Sequence, residues 1–462
     1  MVQVFLIEAL IITSIFSWHF SSTLALNRDR GVPSLVMDTS FSVNNGADIW
    51  VTLDEAFKGK GELAQEPVIL DERMMGFSGA CVREVECRWK GVDASLPNKI
   101  FIKSIVLDPP KNANEDALYK WRRNRQSYIN EITFLADYAP TLRENEVKVP
   151  EIYKILHQGI PEGKGGSVES FLFISESMSR PATLQVVEFE DAQFKSALRW
   201  LAGLHACYQG KMPLEATSTD GTDGGQEDVW REGSHISLSK RPASELIKLP
   251  ENWAAFCNAF GWPEMSDLGT RVAAIAPRIA ALLSPLKGDL VNGGKECLPR
   301  VEFSLVHGDA KPANLFFSEE GQKGVQTYAI DFQWTGWGVP ATDIIYLIAT
   351  GLSDSHINAL DIDKDVLRVY HDALIEEFNK RGVPPEQQTT YEVLSYHFKL
   401  ATIDYVRWIM ACRLPGDTPA KFSKRREEMD PNLGSYRRSE AMMIWLLSRV
   451  QAFLPEVEER LM

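Results

Sequence analysis

The sequence predicts an α+β protein with a small β-rich N-lobe and a large helical C-lobe. Short apolar runs with the alternation of β-strands are concentrated before residue 177. Helical periodicity dominates after that point, as in the apolar stripe between Phe189 and Tyr208. We therefore expect an N-lobe at residues 28–177 and a C-lobe at residues 178–462, preceded by a hydrophobic segment at residues 1–27.

Length and charge exclude several classes of protein. The chain has 462 residues, of which 44% are hydrophobic, so it can bury a sizeable core. Its net charge of -14 argues against a nucleic-acid partner, because binding to a phosphate backbone needs a basic surface. The six cysteines are too sparse for a disulfide scaffold and have no metal-ligand spacing. We expect reduced thiols in a cytoplasmic, ATP-containing compartment.

Residues 1–27 are largely apolar and resemble a signal or anchor segment. However, a positively charged start is absent, and Glu8 and His19 interrupt the apolar run. A membrane anchor, a transit peptide, an amphipathic or loosely packed N-terminal extension and a mis-predicted start of the chain all stay open. If the protein contacts a membrane, we expect it to do so only through this segment.

The N-lobe begins with a predicted hairpin and a strand that contains a lysine. Val68 to Met75 and the alternating run from Cys81 flank a turn that contains Gly76 and Gly79. Lys103 lies inside the next apolar run, where an unpaired ammonium group is costly to bury. Glu131, on a predicted helix, is its candidate partner. The alternatives are an ordinary hairpin, and a lysine that extends to the surface while Glu131 stays solvated.

Residues 210–250 are rich in Ser, Thr, Gly and Asp, which predicts a flexible insertion. Trp230 and His235 lie at its far side. A lid that contains these two residues is one interpretation, but the polar composition favours a surface loop with incidental aromatic residues.

Four polar side chains are crowded between two apolar runs in Phe303–Phe317. They are His307, Asp309, Lys311 and Asn314. A second polar group, Asp331, ends another short apolar strand and can therefore point at the same space. Phosphoryl transfer explains this combination, because that chemistry needs positioning and charge neutralisation more than covalent work by the protein.

Each of these side chains has a role in such a reaction. We expect Asp309 to accept the proton of an attacking hydroxyl and Lys311 to steady the moving phosphoryl group. Asn314 and Asp331 supply the oxygen ligands that Mg²⁺ prefers. The spacing matches kinase catalytic-loop and metal-binding signatures.

His307-Gly-Asp309 through Asn314, together with Ile330-Asp-Phe-Gln333, resembles the aminoglycoside phosphotransferase and choline kinase-like superfamily, and its ecdysteroid-kinase-like branch in particular. Gly308 and Gln333 depart from the Arg and Gly of protein kinases, and no Ala-Pro-Glu signature follows. Regulation by phosphorylation of an activation loop is therefore not expected.

The resemblance implies a two-lobed protein-kinase-like fold that uses ATP and Mg²⁺ and phosphorylates a hydroxyl of a small molecule. It implies that Gly76 and Gly79 cover the nucleotide, and that Lys103 pairs with Glu131. Glu176 and Met178 would then pass behind the adenine. A nucleotide-binding scaffold without activity, and a protein kinase, are the alternatives.

The acceptor is harder to predict, because the helical region that selects it has no motif. Trp334, Trp337 and Asp404 are candidate contacts, since indole faces and a carboxylate suit an amine. Few basic residues are near them in the sequence, which favours a cationic or neutral acceptor such as an amino alcohol, an aminoglycoside or a sterol. Core packing explains the two tryptophans equally well.

Overall fold

The computed structural model describes most of the chain. The described residues are 46–75, 80–91, 96–108, 114–158, 169–179, 184–212, 229–285, 303–318, 324–359 and 361–461. The hydrophobic segment 1–27, Gly76, Gly79 and residues 213–228 of the predicted insertion lie outside them.

The chain divides into two compact units. Met1–Pro109 and Tyr153–Ser175 form the smaller unit, and Pro110–Ile152 and Glu176–Met462 form the larger one. The chain enters the larger unit for the second time at Glu176. Residues 110–152, which the sequence pattern groups with the N-lobe, make their contacts within the larger unit.

A five-stranded sheet and one helix make up the smaller unit. The elements are α1 (Gly46–Ala56), β1 (Val68–Met75), β2 (Ala80–Glu86), β3 (Lys99–Leu107), β4 (Ile152–Gln158) and β5 (Glu169–Glu176). The strand order is β1-β2-β3-β5-β4, and β2 pairs antiparallel with both β1 and β3. Leu53 of α1 and Phe57 immediately after this helix pack on apolar strand residues such as Ile100 and Ile174, which buries one face of the sheet.

The larger unit is mainly helical. Its helices are α2 (Glu115–Thr133), α3 (Ala139–Glu144), α4 (Asp191–Tyr208), α5 (Ala243–Phe260), α6 (Leu268–Leu283), α7 (Ala341–Gly351), α8 (Asp354–Ala359), α9 (Ile362–Lys380), α10 (Tyr391–Trp408), α11 (Pro419–Glu428) and α12 (Glu440–Leu461). A π-helical turn follows α2 at Phe134–Tyr138, and another follows α10 at Ile409–Arg413. The predicted α+β class is therefore confirmed.

Two short antiparallel strand pairs carry the polar segments. The strands are β6 (Ser304–Val306), β7 (Leu315–Phe317), β8 (Thr327–Ala329) and β9 (Gly336–Gly338). β6 pairs with β9 and β7 pairs with β8. The loop between β6 and β7, and the loop between β8 and β9, are thereby held side by side.

Helix α7 begins two residues before Asp343. Pro340 is the N-cap, and Asp343 lies in the first turn with its carboxylate directed elsewhere. A proline preceding a helix removes a backbone donor that would otherwise need a partner.

The second half of the predicted insertion is packed. Val229, His235, Ile236 and Lys240 are buried, and α5 begins at Ala243. The amino-acid composition of this stretch does not indicate that it is packed. A few large side chains make the buried contacts, and most of the polar residues around them do not. Among the helices of the described ranges, none has the length and apolar content needed to cross a membrane.

Candidate active site

The loop between β6 and β7 is anchored by a buried carboxylate on α7. Asp343 is fully buried and accepts hydrogen bonds from the backbone N–H of His307 at 2.6 Å and of Gly308 at 2.9 Å. His205 on α4 lies 3.3 Å from the same carboxylate and 2.7 Å from the Tyr370 hydroxyl. Three helices therefore hold the backbone immediately before Asp309.

Gly308 is required by its conformation and by its surroundings. Its φ is +79°, and a Cβ atom there would approach the carbonyl oxygen of Trp334 to 2.3 Å. The arginine that protein kinases carry at this position in their motif would not fit.

His307 fixes the two polar loops to each other. Its ring is fully buried, its Nε2 donates to the carbonyl oxygen of Ile330 at 3.0 Å, and its Nδ1 accepts from the backbone N–H of Asp309 at 3.3 Å. Because both ring nitrogens are engaged, His307 orients the loops and is not placed to move a substrate proton.

Asp309 is held as an ionised carboxylate by three donors. Its Oδ2 accepts from Lys311 Nζ at 2.8 Å and from Asn314 Nδ2 at 3.1 Å, and its Oδ1 accepts from the Tyr346 hydroxyl at 2.6 Å. Burial alone would raise the pKa of Asp309, but Lys311 and the hydrogen bonds lower it to about 2. Such a carboxylate can orient an attacking hydroxyl by accepting its hydrogen bond.

Lys311 lies between two carboxylates. Burial lowers its pKa, but Asp309 and then Asp331 raise it, and the net shift is upward. The ammonium group of Lys311 therefore stays charged. It lies beside the carboxylate of Asp309, where it would stabilise the negative charge of an incoming phosphoryl group.

Asn314 and Asp331 lie at one end of the β7–β8 pair. Leu315 pairs with Ala329, and the backbone N–H of Ile330 donates to the carbonyl oxygen of Asn314 at 3.0 Å. Asp331 has a φ of +66°, in the left-handed region that few residues other than glycine adopt. Strain of this kind is characteristic of functional sites.

These two residues fit Mg²⁺. The amide nitrogen of Asn314 donates to both Asp309 Oδ2 and the Asp309 carbonyl, which fixes the orientation of the side chain. In the ranges that the structure covers, no three His, Cys, Asp or Glu side chains form a preformed metal cluster. Mg²⁺ needs none, because one or two protein oxygens suffice when substrate phosphates and water complete the octahedron.

Asn130 on α2 fixes the residues that follow Asp331, which the sequence gives no reason to expect. It is fully buried, and its Nδ2 donates to the carbonyl oxygens of Phe332 at 3.0 Å and Gln333 at 3.2 Å. Its Oδ1 accepts from the backbone N–H of Trp230. One side chain thus joins three segments that lie far apart in the sequence.

The predicted nucleotide contacts are divided between the two units. Lys103 is on β3, with its Nζ 5.6 Å from the centre of the Phe173 ring. Glu131 is buried on α2 of the other unit, so their pairing stays a prediction. Glu176 accepts a hydrogen bond from the backbone N–H of Glu151, and Met178 is buried.

The three predicted acceptor contacts have different surroundings. Trp334 is half-buried, stacks on Trp230 at 5.8 Å and has the Arg123 guanidinium 5.7 Å from its ring. Trp337 is 1% exposed and lies in β9 opposite Leu305. Asp404 is buried and forms an ion pair with Arg407.

We expect Trp337→Leu to reduce stability without a selective effect on the acceptor. The removed ring atoms leave a cavity, which typically costs about 2 kcal/mol or more. Urea denaturation measures this change, and Trp334→Leu at the half-buried neighbour is the matched control. A selective rise in the KM of a cationic acceptor at unchanged stability would show instead that Trp337 contacts the acceptor.

Three further side chains that influence the charge of Asp309 or Lys311 come from distant segments. They are His235, Tyr346 and Arg413, from the loop before α5, from α7 and from the π turn after α10. Each contributes to the electrostatics of Asp309 or Lys311. The sequence did not indicate these positions, because His235 lies in a polar stretch and Tyr346 in an apolar helix.

Comparisons with known proteins agree with the catalytic motif. Residues 271–383 match the model of the ecdysteroid kinase-like family. That segment contains both polar loops and the anchoring Asp343. No curated protein matches the chain at a significant level.

Solved structures give only distant similarities. An aminopropanol kinase associated with a microcompartment is 13% identical with a TM-score of 0.37, over 88% of this chain and 96% of its own. The amicoumacin kinase hAmiN is 12% identical with a TM-score of 0.39, over 88% and 93%. A Plasmodium vivax ethanolamine kinase is 13% identical with a TM-score of 0.37, over 90% of each chain.

At these TM-scores the structural similarities carry no weight for the activity of this chain. The match to the family model is more informative, because residues 271–383 contain both polar loops of the site. The resemblance drawn from the motifs is thus confirmed for residues 271–383, which contain both polar loops and match the ecdysteroid kinase-like family model.

Proposed function

We propose that this protein is an ATP-dependent phosphotransferase that moves the γ-phosphate to a hydroxyl of a small molecule. The observation that carries the proposal is the state of Asp309, a buried carboxylate kept ionised by Lys311, Asn314 and Tyr346. Burying a charge is expensive, so an ionised carboxylate with a lysine beside it indicates a catalytic use.

The division of contacts around Asp309 suggests how the reaction is arranged. Its Oδ2 faces Lys311 and Asn314, the side on which phosphates and metal would be bound. Its Oδ1 faces Tyr346, on which aromatic side chains pack. An acceptor hydroxyl that donates to the carboxylate from the aromatic side would be directed at the phosphoryl group.

Asn314 and Asp331 would hold Mg²⁺, which when bound would neutralise charge on the nucleotide phosphates. Lys311 would contribute a further positive charge on the same side. Lys103 and Glu131 are proposed to orient the nucleotide, and Glu176 and Met178 to contact the adenine. Because ATP is required, we propose a cytoplasmic location.

We expect Asp331→Asn to abolish magnesium-dependent nucleotide binding, because it removes the carboxylate that follows the β8 strand. Asparagine is tolerated in the left-handed conformation, so the variant tests charge and not backbone strain. Thermal denaturation with ATP, with and without Mg²⁺, measures the effect. Ligand at 100 times its Kd stabilises a protein by about 2.7 kcal/mol.

The matched control is Asp372→Asn, a carboxylate on α9 outside the candidate site. It should keep the full magnesium-dependent stabilisation. If Asp331→Asn also keeps it, the metal is bound by other residues.

The proposal is tested by a screen of ATP consumption over amino alcohols, aminoglycosides, sterols and sugars. We expect ADP formation that depends on both Mg²⁺ and one class of acceptor. Nucleotide binding without transfer to any of them would favour a non-catalytic scaffold.

A further inference from the structure

An aromatic cluster covers the Oδ1 side of Asp309. We define it as His235, Tyr346, Tyr405 and Trp408. Tyr346, whose hydroxyl binds Asp309, has its ring centre 5.6 Å from that of His235, 5.5 Å from Tyr405 and 6.1 Å from Trp408. His235 and Trp408 are 5.0 Å apart and meet edge to face. All four residues are buried, so the cluster is a rigid wall beside the carboxylate.

Several polar atoms of this cluster lack a hydrogen-bond partner in the part of the chain that the structure describes. They are both ring nitrogens of His235, the hydroxyl of Tyr405 and the indole Nε1 of Trp408. A buried polar group without a partner costs about 1–3 kcal/mol. Four such atoms near Asp309 would be completed by a bound ligand or by water.

The unpartnered atoms favour a ligand that accepts hydrogen bonds. The Trp408 indole can only donate, and the Tyr405 hydroxyl can do so. Burial lowers the pKa of His235 to about 3. Asp309 raises this pKa, and Arg413 lowers it further. The imidazole is therefore neutral near pH 7 and offers one donor and one acceptor.

Arg413 stands at the edge of the cluster with no ion pair to any described residue. It ends the π turn after α10, and its guanidinium lies 5.1 Å from the centre of the Trp408 ring. The residue is exposed. Partial desolvation of its guanidinium, which packs on the Trp408 ring, lowers the pKa of Arg413, but Tyr436, Tyr346, Cys412 and Asp309 raise it, so the net shift is upward.

A second arginine, which forms no ion pair with a described residue, lies nearby. Arg123 on α2 contacts the ring of Trp334, which in turn lies 5.5 Å from His235. Burial lowers the pKa of Arg123, and Arg241 and Arg413 lower it further. Of these three arginines, Arg241 has a carboxylate partner, Glu245. Two uncompensated guanidinium groups that repel each other would gain from a bound anion.

The carboxylates of this region are already neutralised. Asp309 is bound by Lys311, and Asp404 is bound by Arg407 at 2.6 Å. A cationic acceptor would therefore meet guanidinium groups, and the carboxylates of Asp309 and Asp404 already have cationic partners. This is the reverse of what the neighbouring sequence suggests, because Arg123 and Arg413 are brought in from distant helices.

We propose that Arg413, with Arg123 beside it, binds an oxyanion carried by the acceptor, and that the acceptor is a hydroxylated carboxylate, sulfate or phosphate rather than an amine. The proposal rests on the proposed phosphotransferase function. The nucleotide phosphates are the other source of an oxyanion. The acceptor is the better match, because the Arg413 guanidinium lies over the ring of Trp408, which stacks on Tyr346 on the Oδ1 side of Asp309.

The test measures binding in the absence of nucleotide, so that it does not depend on turnover. The probes are three alcohols that share one carbon chain: hydroxyhexanoate, hydroxyhexanamide and aminohexanol. Cholate and its uncharged methyl ester form a second matched pair on a larger scaffold. Calorimetric titration compares the wild type with Arg413→Gln, Arg123→Gln and the control Arg122→Gln, an exposed arginine on the same helix as Arg123.

We expect the wild type to bind the carboxylate of at least one set about tenfold more tightly than its uncharged or cationic counterpart, since charge-assisted hydrogen bonds to arginine are strong. Arg413→Gln should abolish this preference, Arg123→Gln should reduce it, and Arg122→Gln should keep it. Equal binding of the matched probes by the wild type, or binding of none of them, overturns the proposal.

A titration with magnesium and ATP separates the two sources of an oxyanion. If Arg413→Gln weakens ATP binding and leaves the carboxylate preference intact, the anion is a nucleotide phosphate and the proposal is wrong. Loss of the preference with unchanged ATP binding supports it. If carboxylates bind as expected and no phosphate is transferred, the proposed function fails while the anion site stands.

Discussion

Asp309→Asn is expected to lower the rate of phosphate transfer by about 10²–10⁴-fold while ATP binding is largely retained. The substitution removes the charge that orients the attacking hydroxyl. It also places the amide NH₂ group, a hydrogen-bond donor, next to Lys311 Nζ or the Tyr346 hydroxyl. Both of these groups donate to the carboxylate in the wild type. Single-turnover kinetics with labelled ATP measure the rate, and thermal stabilisation by ATP measures binding.

Tyr346→Phe is the matched control for this variant. It removes one of the three donors to Asp309 but leaves the charge in place. We expect a much smaller loss of rate than in Asp309→Asn. Near-normal turnover by Asp309→Asn would show that another group orients the hydroxyl.

Asp343→Ala is expected to give the largest loss of stability among the site residues. It leaves the backbone N–H groups of His307 and Gly308 buried and without their carboxylate partner. Each such group costs about 1–3 kcal/mol, so we expect about 2–6 kcal/mol in total. Urea denaturation followed by tryptophan fluorescence measures the loss, and turnover should disappear because the loop before Asp309 is released.

Tyr370→Phe provides the comparison for Asp343→Ala. It removes a hydroxyl that reaches the carboxylate only through His205, and we expect a loss of about 1 kcal/mol. If Asp343→Ala unfolds at the same urea concentration as the wild type, the loop is anchored by other contacts.

The parts of the fold that depend on local pattern could be predicted from the sequence. The alternating run around Lys103 is β3, and the apolar stripe of α4 begins within two residues of its predicted position. The polar loops around Asp309 and Asp331 were also recognisable, because their residues are close together in the sequence.

Contacts between distant segments could not be predicted in this way. Asn130 and His235 contact the catalytic loops from separate segments, Arg413 acts on Lys311 from a third, and nothing in the spacing of their neighbours indicates this. The charge of the acceptor region illustrates the consequence. The sequence around Trp334 has few cations, whereas the fold places Arg123 against that ring.

Trp337 was ambiguous for a different reason. A large aromatic residue next to a catalytic motif has the same sequence signal whether it contacts a substrate or fills the core. Its position in β9 opposite Leu305, with 1% exposure, shows that it is buried in the core.

The central claim is that Asp309 directs a hydroxyl onto the γ-phosphate of ATP. The most direct test is to incubate the wild type and Asp309→Asn with Mg²⁺, ATP labelled at the γ-phosphate and the panel of alcohols, and to measure labelled product by mass spectrometry. We predict a phosphate ester that forms together with an equal amount of ADP in the wild type and is nearly absent in the variant. Equal product formation by the two proteins, or release of the label as inorganic phosphate alone, would contradict it.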